Sequence, residues 1–175
     1  EEIVGQLIAV YDDLQHWEKN KKISDDLSNY QIITNIVFMG MGEPLLNYSE
    51  VKKAVMILMN DKGLDFSRRR ITLSTAGVVP LIKKAHDELG CMIAISLHAT
   101  DDKTRNILVP LNKKWPIDKL IKTLKDDLNL RNSERITFEY VMLKDVNDTE
   151  VDAKRLIKLI QGLPSKINLI PFNKW

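Results

Sequence analysis

The 175 residues carry 44% apolar and 29% charged side chains and a net charge of +2, a composition with room for one core-bearing domain that neither demands nor excludes a polyanionic partner. A single cysteine excludes an intramolecular disulfide and suits a reducing, cytoplasmic setting. No apolar run reaches the length of a membrane span and no signal peptide opens the chain, so no membrane partner is expected.

Ile3, Leu7, Val10, Leu14 and Trp17 recur at helical spacing and predict an amphipathic helix over residues 2–20. Residues 35–39 form an apolar strand, and a helix over 49–61 follows, with Ser49 as N-cap and Gly63 just past its end. Next come a strand over 70–75, a helix over 79–89 stopped by Gly90, and a strand over 92–97. Residues 101–108 form a short helix and 116–130 a longer one, with Pro116 in its first turn. A strand over 135–142, a helix over 149–163 and a strand over 166–170 complete the series. Strands alternating with helices imply parallel pairing through crossover helices. The chain opens on Glu1 inside a helical pattern and ends on Trp175 just after a strand, which reads as a piece of a longer protein.

Alternate strand residues point to opposite faces. Ile136, Phe138, Tyr140 and Met142 oppose Thr137, Glu139 and Val141; Ile93, Ile95 and Leu97 oppose Ala94, Ser96 and His98; Ile71 and Leu73 oppose Thr72 and Ser74; Ile167 and Leu169 oppose Asn168. One face is thus apolar and the other small or polar, with the polar residues toward the strands' C-terminal ends. That pattern fits an α/β, open, curved, barrel-like sheet with helices outside and a ligand inside, rather than a doubly wound sheet that is apolar on both faces.

Gly40-Met41-Gly42-Glu43-Pro44 follows the first strand. A dinucleotide fingerprint would need glycine where Leu45 stands. Glycines instead let backbone groups approach a ligand closely, and Glu43 offers an anchor for an ammonium group. Ser74-Thr75-Ala76-Gly77 ends the next strand in hydroxyls and a glycine. Ser96 and His98 lie along one strand without the elbow of a serine nucleophile, which favours hydrogen bonding to a polar ligand. Glu139 is a carboxylate in mid-strand on the inner face, where an ionised group needs a partner or ligand. Cys91 reads as an ordinary buried thiol, and His16 and His86 lack the company of metal ligands. Arg68-Arg69-Arg70, the lysines at 19, 21 and 22, and Lys113-Lys114-Trp115 are basic clusters. Their sharper reading is phosphate contact, with Trp115 stacking on a base. An aldolase-type barrel would want a lysine on the inner face, but neither Lys166 nor Lys144 sits in a pocket pattern.

Six motifs, in order, resemble one family: Gly40-Met-Gly-Glu-Pro-Leu-Leu-Asn, Arg69-Arg-Ile-Thr-Leu-Ser-Thr-Ala-Gly-Val-Val-Pro, Ile95-Ser-Leu-His-Ala, Val109-Pro-Leu-Asn-Lys-Lys, Glu139-Tyr-Val-Met-Leu and Ile167-Asn-Leu-Ile-Pro-Phe-Asn. They are similar to the radical S-adenosylmethionine methyltransferases that methylate adenine C2 in large-subunit ribosomal RNA and in certain tRNAs. The resemblance implies a six-stranded open partial barrel of the (β/α)6 type. This chain would be a single truncated domain holding strands two to six, without the accessory N-terminal domain, the first strand and the C-terminal segment. It implies that Gly42 and Glu43 hold the methionine amino group of S-adenosylmethionine, while Ser74, Ser96, His98, Asn173 and the backbone of Leu97 line the rest of the cofactor site. Ala76 stands where relatives often have serine. The family's [4Fe–4S] cluster is bound by a Cys-x3-Cys-x2-Cys loop expected just before Glu1, and its methyl-carrying cysteine beyond Trp175. Its general-base glutamate is expected earlier than the cysteine loop. Cys91 matches neither cysteine role, so no metal or catalytic residue is expected in these residues. The implied partners of the longer protein are rRNA, tRNA and an electron donor. The expectation for the chain alone is inactivity. Methylation of adenine C8 on the same scaffold is the sister activity, and a non-catalytic RNA-binding barrel is a further alternative.

Overall fold

The computed structural model describes residues 1–14 and 33–173. Its helices and strands alternate as α1 (Glu2–Asp13), β1 (Ile36–Phe38), α2 (Tyr48–Leu58), β2 (Ile71–Thr75), α3 (Val79–Leu89), β3 (Met92–Ser96), α4 (Asp102–Leu108), α5 (Ile117–Lys122), β4 (Ile136–Met142), α6 (Glu150–Ile160) and β5 (Ser165–Pro171). All neighbouring strands are parallel, in the order β1-β2-β3-β4-β5. Right-handed crossovers combined with a strand order that never reverses put every connecting helix on one face of the sheet. A doubly wound sheet reverses its order and covers both faces. The bare face is therefore a consequence of topology, and it is the face on which the small and polar residues fall.

The covered face is the core. Ile71, Leu73, Ile93, Ile95, Ile136, Phe138 and Tyr140 are all buried against Val51, Val55, Ile82, Ala85, Leu120, Leu124 and Leu156 from the helices. Helix α3 ends at Gly90, whose left-handed φ of 64° closes the last turn. Helix α6 starts in a capping box: the Thr149 hydroxyl accepts from the Asp152 N–H while Asp152 accepts from the Thr149 N–H.

Boundaries depart from periodicity where side chains or turns intervene. Of the helix expected over 2–20, Glu2–Asp13 is seen, and residues 15–20 lie outside the described residues. Ser49 is not a cap: a 3-10 turn over Pro44–Asn47 leads directly into α2 at Tyr48, and Asn47 holds the cap position. The helix expected over 116–130 is α-helical only through Lys122, passes into a π-turn over Thr123–Asp127, and is extended at Leu128. Apolar residues at 117, 120, 121, 124 and 128 suggest one continuous stripe, but the π-turn re-aims Leu124 and Leu128, both buried. The helix expected to reach 163 stops at Ile160, because Gln161 and the left-handed Gly162 turn the chain so that Leu163 returns to the core.

Asp152 caps α6 and also accepts from the Thr100 hydroxyl while pairing with Arg155. Burial opposes its ionisation, yet the hydrogen bonds from Thr149, Arg155 and Thr100 prevail and hold the carboxyl down at about 2. A carboxylate whose pKa falls on folding contributes stability above its unfolded pKa and loses it as pH drops toward the folded value. Asp152 therefore contributes on the order of 2 kcal/mol that disappears between about pH 4 and pH 2. Urea titrations from pH 5 to pH 2 should show Asp152→Asn losing less stability over that window than the parent chain; parallel curves would refute the assignment.

Candidate cofactor cleft

The site forms where β1, β2 and β3 end. A cleft of about 530 Å³ is lined there by Gly40, Gly42, Glu43, Ser74, Thr75, Ala76 and Ser96, with Phe38, Val51 and Leu7 among its apolar walls. Register explains the grouping. Val37 pairs with Thr72, Ser74 with Ala94, and Ser96 with Glu139, so the inner-face residues form rows across the sheet. Gly42 has a φ of +97° with open space where a Cβ would stand, so backbone conformation and not crowding requires glycine.

Glu43 is the charged group of the cleft. Its Oε2 accepts from the Ala76 N–H at 2.7 Å and its Oε1 from the Leu45 N–H at 3.1 Å. The carboxylate thereby caps the 3-10 turn and ties the β1 loop to the end of β2. Each carboxylate oxygen keeps a further acceptor site for a ligand ammonium. The Thr75 hydroxyl accepts from the Gly77 and Val78 N–H groups and shapes the turn before α3.

Four of the residues singled out from sequence, Gly42, Glu43, Ser74 and Ser96, line this one cleft. Leu97, His98, Glu139 and Asn173 do not. Leu97 is fully buried; its N–H donates to the Glu139 carbonyl and its own carbonyl accepts from Arg105. That carbonyl also accepts from the Ala99 N–H at 2.8 Å, so both of its lone pairs and the N–H are already engaged within the chain. His98 follows β3 and is half-buried, with its imidazole pKa lowered by burial and by the nearby Arg105 charge. Glu139 is buried and accepts from the Asn168 amide at 2.6 Å, the partner its position required. Asn173 is exposed, two residues past β5.

Arg105 went unnoticed in the sequence, where it reads as one more polar residue of a short helix. It is fully buried and donates to the carbonyls of Ala76 (2.8 Å), Ser96 (3.0 Å) and Leu97 (3.0 Å) and to Asn112 Oδ1 (2.7 Å). Asn112 passes the link on to Asp102. Burial lowers the guanidinium pKa to about 10, with Asp102 opposing, so it stays charged at neutral pH. The ends of β2 and β3 are thus tied together behind the cleft. The signal for it was the spacing of Asp102, Arg105 and Asn112 before and within Val109-Pro-Leu-Asn, a polar set too regular for a solvated turn.

Other expectations separate clearly. Trp115 is only 8% exposed and lies under Lys114, whose Nζ is 4.6 Å from the ring centroid, so it is core rather than a stacking platform for a base. Arg68–Arg70 precede β2, at the end of the sheet opposite the cleft. The lysines at 19, 21 and 22 and His16 lie outside the described residues. Cys91 is buried at the start of β3, and burial pushes its thiol up to about 11. No group of three or more metal-ligating side chains occurs among the described residues. None of their helices is long and apolar enough to cross a membrane.

A singly wound parallel β/α sheet with a glycine- and hydroxyl-lined cleft at its strand ends defines one class of open α/β fold. The model of the radical SAM superfamily matches residues 11–157, and the chain belongs to that superfamily. It is 57% identical over 174 residues to a dual-specificity RNA methyltransferase RlmN of Cereibacter sphaeroides, covering 99% of this chain and 44% of the relative. A protein of the same name from Parvibaculum lavamentivorans is 55% identical over 99% of this chain and 43% of its own length. The crystal structure of a radical SAM methyltransferase from Sphaerobacter thermophilus superposes with a TM-score of 0.84 at 38% identity, covering 99% of this chain and 47% of that one. The chain spans less than half the length of these curated relatives.

Proposed function

We propose that these residues are the S-adenosylmethionine-cradling part of an RNA methyltransferase that acts on adenine C2 in large-subunit rRNA and in tRNA. The observation that carries the reading is the Glu43 carboxylate, fixed by two backbone N–H groups at the mouth of a cleft lined by Gly42, Ser74 and Ser96. The donor set fits a zwitterionic amino acid joined to a nucleoside. Glu43 and the Gly42 backbone take the ammonium; the Ser74 and Ser96 hydroxyls, His98 and Asn173 serve the remaining polar atoms, with Leu97 placed between Ser96 and His98. S-adenosylmethionine supplies, when bound, the methyl group that such enzymes transfer. The chain's own contribution is to bind and orient: Glu43 offsets the ammonium charge, Arg105 sets the spacing of the strand ends, and Phe38, Val51 and Leu7 give the cleft apolar walls.

An iron–sulfur cluster does not fit these residues. The chain has one cysteine, buried at the far end of the sheet, whereas such clusters need several thiolates. The 175 residues alone are accordingly expected to be inactive and to bind S-adenosylmethionine weakly; tight binding by calorimetry would contradict this. The decisive experiment takes the protein extended to its natural termini and purified without oxygen, with residues 1–175 as control. About four irons per long chain with matching sulfide, none in the short one, and methyl transfer to adenine C2 of an rRNA fragment are the expected results. No iron in either after reconstitution would sink the reading.

A further inference from the structure

His98 combines two features that need explaining together. Its backbone is left-handed, with φ of 55°, a conformation that a non-glycine residue keeps only when its surroundings impose it. Its imidazole Nδ1 accepts a hydrogen bond from the Val141 N–H at 3.2 Å. A backbone N–H can only donate, so Nδ1 must present a lone pair. The imidazole is therefore neutral and carries its proton on Nε2. Nε2 has no partner among the described residues.

Asn147 imposes both features. It is 1% exposed and every hydrogen-bonding atom of its amide is used. Its Nδ2 donates to the His98 carbonyl at 2.7 Å and to the Val141 carbonyl at 2.8 Å, and its Oδ1 accepts from the Leu143 N–H at 2.7 Å. The Tyr140 hydroxyl donates to the Asn147 carbonyl at 2.7 Å and anchors the loop itself. One amide thus clamps the His98 backbone to the strand whose N–H selects the tautomer.

Position indicates what Nε2–H is for. Glu43 follows β1 and His98 follows β3, two strand spacings apart, or roughly 10 Å. A free amino acid cannot bridge that span; an amino acid joined to a nucleoside can. We infer that Asn147 is a positioning residue that holds His98 as a neutral Nε2–H donor to an uncharged acceptor atom of the nucleoside end of the ligand. The donor role rests on the adenosyl-ligand reading above; the Asn147 clamp does not.

Long-range and amide 15N–1H spectra of the uniformly 15N-labelled chain test both parts, with the His98 ring identified by the signal missing from His98→Gln. At neutral pH the His98 ring should show the Nε2–H pattern. Asn147→Ser, which removes both amide donors, should move it toward an averaged tautomer pattern while the amide spectrum stays dispersed. An Nδ1–H or cationic ring in the parent chain overturns the inference without any variant, as does an unchanged ring in folded Asn147→Ser. Titration with millimolar S-adenosylhomocysteine should shift the Gly42 and Glu43 amides together with His98 Nε2. His98→Ala should weaken binding about tenfold, as for loss of one hydrogen bond, and His98→Gln, which keeps a donor at the same reach, should restore part of it. Shifts at Gly42 and Glu43 without His98 Nε2 would overturn the donor role and leave the cofactor reading standing. No shift at any of them would overturn both.

Discussion

Arg105→Met will destabilise this chain by about 3–5 kcal/mol, the range for removing one partner from a buried charged network. Arg105 is fully buried and donates to three backbone carbonyls and to Asn112. Methionine fills most of the volume but donates nothing, so those carbonyls stay buried with fewer partners at roughly 1–3 kcal/mol each before relaxation. Arg105→Lys keeps the charge and loses the fork, and it should recover only a part of the loss. Urea unfolding at constant m value is the measurement. A shift below about 1 kcal/mol for methionine would mean that the strand ends hold together without the guanidinium.

Glu43→Gln, made in the protein extended to its natural termini, will weaken S-adenosylhomocysteine binding by roughly 30- to 100-fold, about 2–3 kcal/mol for a charge-assisted contact to an ammonium. The substitution is nearly isosteric, but its NH2 must face either the Leu45 or the Ala76 N–H, donor against donor, where Glu43 now accepts from both. The same change in residues 1–175 should therefore also cost about 1–2 kcal/mol of stability. Calorimetry reports the first effect and urea unfolding the second. Lost stability with unchanged affinity would make Glu43 a structural cap and place the ammonium elsewhere.

Much of this was legible in residue order. Period-two alternation sorted Ser74, Ser96 and Glu139 onto one face, and strand–helix alternation led to a parallel sheet, because both depend on neighbours a few residues apart. The Gly-Met-Gly-Glu loop was legible for the same reason: a strand that ends in glycines and one carboxylate exposes backbone by composition alone. Helix ends were less legible. The π-turn at Thr123–Asp127 and the start of α2 at Tyr48 depend on what each turn packs against.

Trp115 shows the limit from the other side: beside two lysines it looks like a base-stacking surface, yet it belongs to the buried apolar core. Arg105, Asn112 and Asn147 do not stand out as site-forming residues by type, since each works through hydrogen bonds to groups from other elements. The sequence by itself determined the parallel β/α order, the polar inner face and the loop that carries Glu43, all of which follow from local spacing. Only the tertiary structure decided that Glu43 bonds the end of β2, that a buried guanidinium spans β2 and β3, and that His98 is held in one tautomer. Those are long-range hydrogen bonds between groups that chain order keeps apart, and they exist only once the sheet has set its register.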